Sequence, residues 1–166
     1  MENKYAGSLL TDEIVCRQFC NAADFVRREL RCEGHVLYAY AIDGLIASAT
    51  ASENIFKPIS QQLTGTTIES LYESAMKGSI YNNVAVPCED ICQVNFLLVN
   101  GFCVVLFPGV GAIGYEVRTP DKRTTSAPEV ENTVKGPKDA FVETIRINTS
   151  LIRRHLRTPD LRISGT

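Results

Sequence analysis

Apolar and polar residues follow a two-residue period in the first third of the chain, which predicts a β-hairpin. Val26, Leu30 and Cys32 alternate with charged neighbours, whereas residues 36–42 are almost continuously apolar. Turn residues at 33–34 separate the two segments. Because a strand that is apolar on both faces is buried on both, we predict that the first strand lies at a sheet edge and the second inside the sheet.

Other segments predict further strands and helices. A short strand at 83–86 is expected to end at Pro87, and residues 102–107 and 112–118 read as an antiparallel hairpin. Apolar residues at helical spacing predict helices at 11–20, 53–63, 67–77 and 89–99. The alternation predicts an α/β fold, a mixed sheet flanked by helices, as a first subdomain over residues 8–120. A stretch rich in Thr, Pro, Lys and Glu at 121–135 is the expected linker.

Residues 136–163 predict a long terminal amphipathic helix. Gly136 and Pro137 are typical of a helix entry, and Pro159 is expected to end the helix at about residue 158. Its expected docking stripe, with residues three or four positions apart, consists of Phe141, Ile145, Asn148, Ile152 and Leu156. Arg153 and Arg154 at the basic end are expected to be exposed and to contact a carboxylate-bearing neighbour or a partner subunit.

Composition indicates an ordinary globular chain. Of 166 residues, 45% are hydrophobic and 22% charged, and a net charge of −2 gives no indication of nucleic-acid binding. Glycine, asparagine and proline interrupt the longest apolar run, 94–114, which is therefore not expected to cross a membrane. The amino terminus has no signal-peptide pattern, so we expect a soluble chain with reduced thiols. The basic residues after 135 suit either an acidic partner or lipid surface, or simply a solvated helix end.

The six cysteines form two pairs with a spacing of four, Cys16 with Cys20 and Cys88 with Cys92. On a helix this spacing would place each pair on one face. Structural zinc sites usually have closer loop spacings, and no histidine is near either pair in the sequence. We therefore favour buried free thiols over a zinc site and predict no metal.

Candidate chemistry is sparse in this sequence. Sequence motifs of hydrolases, P-loop proteins, zinc proteases and dinucleotide-binding proteins are missing, so we predict no catalytic activity and no cofactor. Asp43 and Gly44 follow the inner strand, where α/β sheets often bind ligands, although a DG turn is also explained by backbone capping. With Arg118 they form the candidate binding set.

The terminal segment resembles the A subunits of GerA-type spore germinant receptors. The matching residues are Gly136, Pro137, Phe141, Glu143, Asn148, Leu151, Ile152, Arg153 and Arg154. Upstream, AYAIDGLI at 39–46 and IFKPIS at 55–60 also resemble the family pattern. The chain differs from many members in having no Trp and in carrying His155 where a third Arg is common. A receptor A subunit and the similar stage V sporulation protein AF both remain candidates.

This resemblance implies a non-catalytic domain of a membrane receptor that acts in spore germination. It implies a soluble amino-terminal region at the cytoplasmic face of the spore inner membrane, a membrane-bound carboxyl-terminal region, and B- and C-type subunits as partners. The segment 136–163 would then open a second subdomain, with Gly136, Pro137, Phe141, Glu143, Asn148, Ile152, Arg153 and Arg154 as contact residues. Candidate partners also include a small-molecule germinant and a second copy of the chain. The alternative is a module that binds an amino acid or sugar, resembling solute-binding proteins.

Overall fold

A five-stranded antiparallel sheet forms the centre of the computed structural model, which describes residues 10–61, 63–79, 84–118 and 144–164. The strands lie in the order β1-β2-β4-β5-β3. Their bounds are β1 (Phe25–Cys32), β2 (His35–Ile42), β3 (Ala85–Cys88), β4 (Phe102–Phe107) and β5 (Gly111–Glu116). The predicted α/β class with flanking helices is confirmed. The four strand pairings between described residues are all antiparallel, so the predicted mixed sheet is wrong. The sequence could not exclude parallel pairs, because strand periodicity carries no information about the direction of a non-sequential partner.

The predicted β1–β2 hairpin is confirmed, with β1 at the edge and β2 inside the sheet that the described residues form. Glu33 and Gly34 both have positive φ, 48° and 80°. Two successive residues with positive φ give a turn whose twist matches that of the strands it joins. The pairing of Phe25 with Ile42 at the open end of the hairpin brings the residues before β1 close to those after β2.

Six α-helical segments surround the sheet in the described residues: α1 (Asp12–Gln18), α2 (Ser48–Ala51), α3 (Lys57–Gln61), α4 (Ile68–Ser74), α5 (Ile91–Val99) and α6 (Ile145–His155). A π-helical turn, Ser52–Phe56, joins α2 to α3, and a second one, Ala75–Ser79, follows α4. The helix containing Pro58 therefore begins before the predicted residue 53. Pro58 has no N–H to donate, and the π-helical turn directly before it changes the hydrogen-bond register at this position.

Strand β3 extends through Pro87 to Cys88, so the prediction that Pro87 ends it is wrong. Within the described part of the sheet, β3 pairs only with β5 and forms an edge. A proline is tolerated there because one side of an edge strand needs no backbone donor.

The sheet is covered on both faces. One apolar core lies between the sheet and α2, α3 and α4, and includes Ala39, Ala41 and Ile55. The other lies between the sheet and α1 and α5, and includes Tyr40 and Leu98. The alternation of Ala39, Tyr40 and Ala41 between the two cores follows from the two-residue period of β2.

No helix in the described segments combines the length and the apolar character needed to span a membrane. The predicted linker 121–135 lies outside the described residues, as do Gly136, Pro137, Phe141 and Glu143. The described helix α6 begins after Thr144, which caps it in an extended conformation, and ends at His155.

Candidate functional site

A buried ion pair joins α6 to the start of β1. Arg153, only 1% exposed, donates from Nε to Asp24 Oδ2 at 2.7 Å and from Nη2 to Asp24 Oδ1 at 2.8 Å. Its Nη1 also donates to the carbonyl oxygen of Thr158 at 3.4 Å. Two parallel charge-assisted hydrogen bonds fix both the position and the orientation of the guanidinium group. Arg153 is therefore an anchor of α6 and not the exposed charge expected from the sequence.

Two exposed polar contacts accompany this anchor. Arg146 Nη2 donates to Asp43 Oδ1 at 2.6 Å and lies 3.5 Å from Ser48 Oγ. Arg157 Nη1 donates to Asn100 Oδ1 at 3.1 Å. Both contacts are exposed, and the Arg146–Asp43 ion pair contributes about 0 to 1 kcal/mol.

The two aspartates that receive α6 are close together because of the hairpin. Asp24 precedes β1, Asp43 follows β2, and the N–H of Asp43 donates to the carbonyl oxygen of Asp24 at 2.7 Å. The segment after α6 contacts the same loop, since the N–H of Ala23 donates to the carbonyl oxygen of Ile163 at 2.7 Å. The open end of the hairpin thus receives both α6 and the segment that follows it.

Gly44 allows α6 to approach this surface closely. Its φ is +84°, and a Cβ atom added there would lie 2.9 Å from Ser150 Cβ and 3.4 Å from the carbonyl oxygen of Arg146. Any side chain would strain the backbone and push the helix away. Gly44, predicted as a ligand-binding residue, instead contacts α6.

The predicted docking stripe of the terminal helix is wrong at both ends of its described part. Ile145 is 77% exposed and Leu156 is 53% exposed, while Asn148 and Ile152 are half-buried. Periodicity identified an apolar stripe, but the docked face of α6 carries Arg153 and Ser150. Arg154 is half-buried.

A small pocket lies beside Asp43, between the β1–β2 hairpin and the π-helical turn. Its volume is about 180 Å³, and it is lined by Val26, Arg28, Ala39, Tyr40, Ala41, Asp43, Ile46, Ser48, Ser52 and Phe56. Arg118, predicted to bind ligand with Asp43, is not part of this lining. It pairs with Glu116 at 3.3 Å and lies over the ring of Phe102, 5.1 Å from the ring centroid.

Sequence reasoning missed Asp24, Arg28 and Arg146. Asp24 and Arg146 resemble ordinary surface residues, and only the meeting of the hairpin end with α6 gives them partners. For Arg28 a signal did exist, because it shares the two-residue period of Val26 and Leu30 and therefore faces the same side of the sheet.

A second Asp–Arg pair holds α1 on β1. Arg27 donates from Nε to Asp12 Oδ1 at 2.8 Å and from Nη2 to Asp12 Oδ2 at 2.7 Å, and Tyr40 Oη donates to Asp12 Oδ1 at 2.8 Å. The hydrogen bonds from Arg27 lower the pKa of Asp12 below its ordinary value; burial opposes this, and the bond from Tyr40 supports it. Asp12 is therefore ionised at neutral pH.

The prediction of buried free thiols is wrong for Cys20 and Cys92, which are exposed, and neither predicted pair lies on one helix. Cys20 follows the end of α1, and Cys88 belongs to β3 while Cys92 lies on α5. Cys88 and Cys103 are buried, and burial raises their thiol pKa values to about 11 and about 12. Across the described ranges, no group of three or more His, Cys, Asp or Glu residues is placed to hold a metal ion.

Comparison with known proteins identifies the family. A family model described as Bacillus/Clostridium GerA spore germination protein matches residues 13–166. The chain belongs to the GerA family. The resemblance found in the sequence is thereby confirmed, and a role in spore germination follows from the family.

Relatives in this family include two proteins of Bacillus subtilis (strain 168). Stage V sporulation protein AF is 37% identical over 70 residues, which cover 42% of this chain and 14% of that protein. Spore germination protein A1 is 41% identical over 79 residues, which cover 46% of this chain and 16% of that protein. The matched segments are therefore a small part of these relatives.

The fold is similar to the crystal structure of the N-terminal domain of the A subunit of the Bacillus megaterium spore germinant receptor GerK3. The TM-score is 0.61 at 15% sequence identity, covering 90% of this chain and 55% of that one. At this identity the likeness concerns the fold alone.

Proposed function

We propose that this GerA-family chain is a non-catalytic domain of a membrane spore germinant receptor. It acts at the cytoplasmic face of the spore inner membrane, together with B- and C-type subunits, and transmits a nutrient signal through α6. Family membership supports this assignment, and the fold agrees with that of a receptor A-subunit domain. The more specific signalling role rests on the way α6 is attached.

The observation that carries the proposal is that α6 buries a charged side chain and exposes apolar ones. Its most buried side chain is Arg153, whereas Ile145 and Leu156 are largely in solvent. A helix that only completes a core would bury its apolar side chains. A helix that is held by charges and leaves Ile145, Ile147 and Leu156 exposed is suited to contacting a further part of the receptor.

The buried pair also makes docking sensitive to small changes. Forming it removes two charges from water, and the mutual attraction of Arg153 and Asp24 offsets that cost. When α6 undocks, both groups regain their hydration. The free energies of the docked and undocked states therefore differ by the balance between the desolvation cost and the attraction within the pair. Because this balance is small compared with either contribution, a modest interaction elsewhere can shift the populations of the two states.

Spores that carry the full-length protein with Arg153→Ala test this role. We expect a reduced germination rate with nutrients, at a normal level of the protein and of its partner subunits. The matched control is Arg17→Ala, which removes an exposed arginine that pairs with Glu13 within α1. A normal germination rate for Arg153→Ala would contradict the signalling role of α6.

The exposed apolar side chains are tested separately. The double variant Ile145→Ser and Leu156→Ser is expected to melt like the unchanged domain, because these groups are already in solvent, and to slow germination in spores. The control is Phe96→Ser, which removes an apolar side chain of similar exposure, 66%, on α5. Equal germination by the double variant and the control would rule out a receptor contact at this face.

A further inference from the structure

The pocket between the β1–β2 hairpin and the π-helical turn exists because β2 carries alanines where it passes under that turn. Ala39 and Ala41 face this side of the sheet, and the cross-strand partners are Arg28 for Ala39 and Val26 for Ala41. Directly opposed residues on one face of an antiparallel pair lie about 5 Å apart at Cβ. Two small side chains beside a long basic one leave a space with a charged side.

The pocket combines an apolar base with four polar or charged residues in its lining. The base consists of Val26, Ala39, Ala41, Ile46 and Phe56, and the polar lining consists of Arg28, Asp43, Ser48 and Ser52. Binding sites for small molecules have this composition, mainly apolar with a few placed polar groups. The π-helical turn contributes Ser52 and Phe56, and such turns often occur at functional sites.

The charges favour an anion. The guanidinium of Arg28 lies 5.6 Å from the ring centroid of Phe56 and has no ion-pair partner among the described residues. The carboxylate of Asp43 is already paired with Arg146 at 2.6 Å. Counting Arg28, Arg146 and Asp43, the local charge is +1, and the guanidinium fork of Arg28 suits a carboxylate.

The volume limits the size of the ligand. At about 180 Å³ the pocket is slightly larger than a cavity of about 150 Å³, which holds benzene. A molecule of about six to eight non-hydrogen atoms fits this space. We infer that this pocket binds a small monocarboxylate, with its carboxylate on Arg28 and Ser52 and its apolar part over Ala39 and Ala41. The site goes beyond the proposed receptor role and does not depend on it.

A matched set of three probes tests the inference with the 166-residue chain. The probes are 3-methylbutanoate, its neutral amide, and L-valine, which adds an ammonium group to the same skeleton. Amide chemical shifts are followed by NMR during titration. We expect 3-methylbutanoate to give saturable shifts centred on Ala39, Ala41 and Ser52, and the neutral amide to bind at least about tenfold more weakly because it lacks the charge-assisted bond.

L-Valine tests the charge of the ligand. Its ammonium group must displace Arg146 from Asp43 or remain beside two guanidinium groups, so we expect it to bind more weakly than 3-methylbutanoate. Tighter binding of L-valine than of 3-methylbutanoate would overturn the monocarboxylate class. Failure of 3-methylbutanoate to give saturable shifts at the pocket would overturn the site itself.

Two variants of β1 separate the pocket from general surface charge. Arg28→Gln is expected to weaken binding of 3-methylbutanoate at least about tenfold. Arg31→Gln removes a guanidinium from the same strand on the opposite face of the sheet, and is expected to change the Kd by less than about twofold. An unchanged Kd for Arg28→Gln, or equal losses for both variants, would overturn the assignment. These experiments measure binding to the isolated chain, whereas the receptor role is measured in spores. The two proposals can therefore fail independently of each other.

Discussion

Helices α5 and α6 are attached to the same sheet by opposite means. Helix α5 buries Ile91, Val94 and Leu98 in the apolar core, whereas α6 buries Arg153 and leaves Ile145 and Leu156 in solvent. Apolar burial stabilises without dependence on a single partner, because many contacts share the effect. An ion pair depends on both members, since the loss of one leaves the other unpaired. We therefore expect α5 to behave as part of the permanent core and α6 to detach from the sheet without global unfolding.

The largest expected effect comes from weakening α5. Leu98→Ala, at a position with 0% exposure, should lower the free energy of unfolding by about 2 to 5 kcal/mol, because it removes buried methyl groups and leaves a cavity. Urea unfolding of the domain measures this loss. Phe96→Ala, on the exposed face of the same helix, should change stability by less than about 0.5 kcal/mol. Similar losses for both variants would mean that α5 is not the core element described.

Removal of the α6 anchor should act locally. Arg153→Ala leaves Asp24 without its partner, which would cost about 3 to 5 kcal/mol if Asp24 stayed buried. If α6 undocks, water hydrates Asp24 and the unpaired carboxylate is no longer buried. The variant therefore loses at most the free energy with which α6 docks on the sheet. We expect hydrogen exchange of the α6 amides to accelerate by up to about 100-fold, while the β2 and β4 amides change little.

Arg153→Lys keeps the charge but not the bidentate geometry, and should give a smaller acceleration of exchange in α6. If hydrogen exchange accelerated equally in α6 and in the sheet, α6 would belong to one cooperative unit with the core. The proposed difference between α5 and α6 would then be wrong.

Alanine substitutions at two glycines distinguish the strain of a left-handed backbone from a steric clash with α6. Gly34 and Gly44 have similar φ values, +80° and +84°, but only at Gly44 would an added Cβ meet α6. Gly34→Ala should cost about 1 kcal/mol through its left-handed backbone alone. Gly44→Ala should show the same cost and, in addition, faster hydrogen exchange in α6. Identical exchange in the two variants would contradict the close packing of Ser150 on Gly44.

The smallest expected effect concerns the Asp12–Arg27 pair, the partly exposed counterpart of Asp24–Arg153. Its side chains are 27% and 34% exposed, so Asp12→Asn should cost only about 1 kcal/mol at pH 7. The folded-state pKa of Asp12 is lowered, so its contribution is full above the unfolded value of about 3.9 and is lost as the pH falls through the folded pKa.

Unfolding measured from pH 7 to pH 3 should therefore show a constant difference between Asp12→Asn and the unchanged chain above about pH 5, and a smaller one below about pH 4. A difference that grows on acidification would contradict the assignment of this pair.

Much of the sheet and of the apolar helices was predictable because local patterns specify them. The period of two in β1 and β2, with Glu33 and Gly34 between them, predicted the hairpin and the edge position of β1. Asp90 before α5 and Thr67 before α4 act as caps through their side chains, at 2.8 Å and 3.2 Å, and such caps are visible in a sequence. The passage of β3 through Pro87 was missed because its edge position is a property of the sheet and not of the residue.

The candidate site was predicted less well, since its members meet only in three dimensions. Asp43 was identified from its place after an inner strand, but its partner Arg146 is 103 residues away in the sequence. Asp24 and Arg153 are separated by 129 residues. No local pattern distinguishes a buried arginine with a distant carboxylate partner from an arginine in solvent.

The sequence by itself determined most of the strands and helices, the inner position of β2 and membership of the GerA family. These follow from side-chain period, turn residues and shared motifs, which are encoded over short stretches of chain. Tertiary structure alone decided which face of α6 is docked, since the buried pair at Asp24 outweighs the apolar stripe of the helix. It also decided that alanines at 39 and 41 leave a pocket, because a space exists only where β1, β2 and the π-helical turn are brought together.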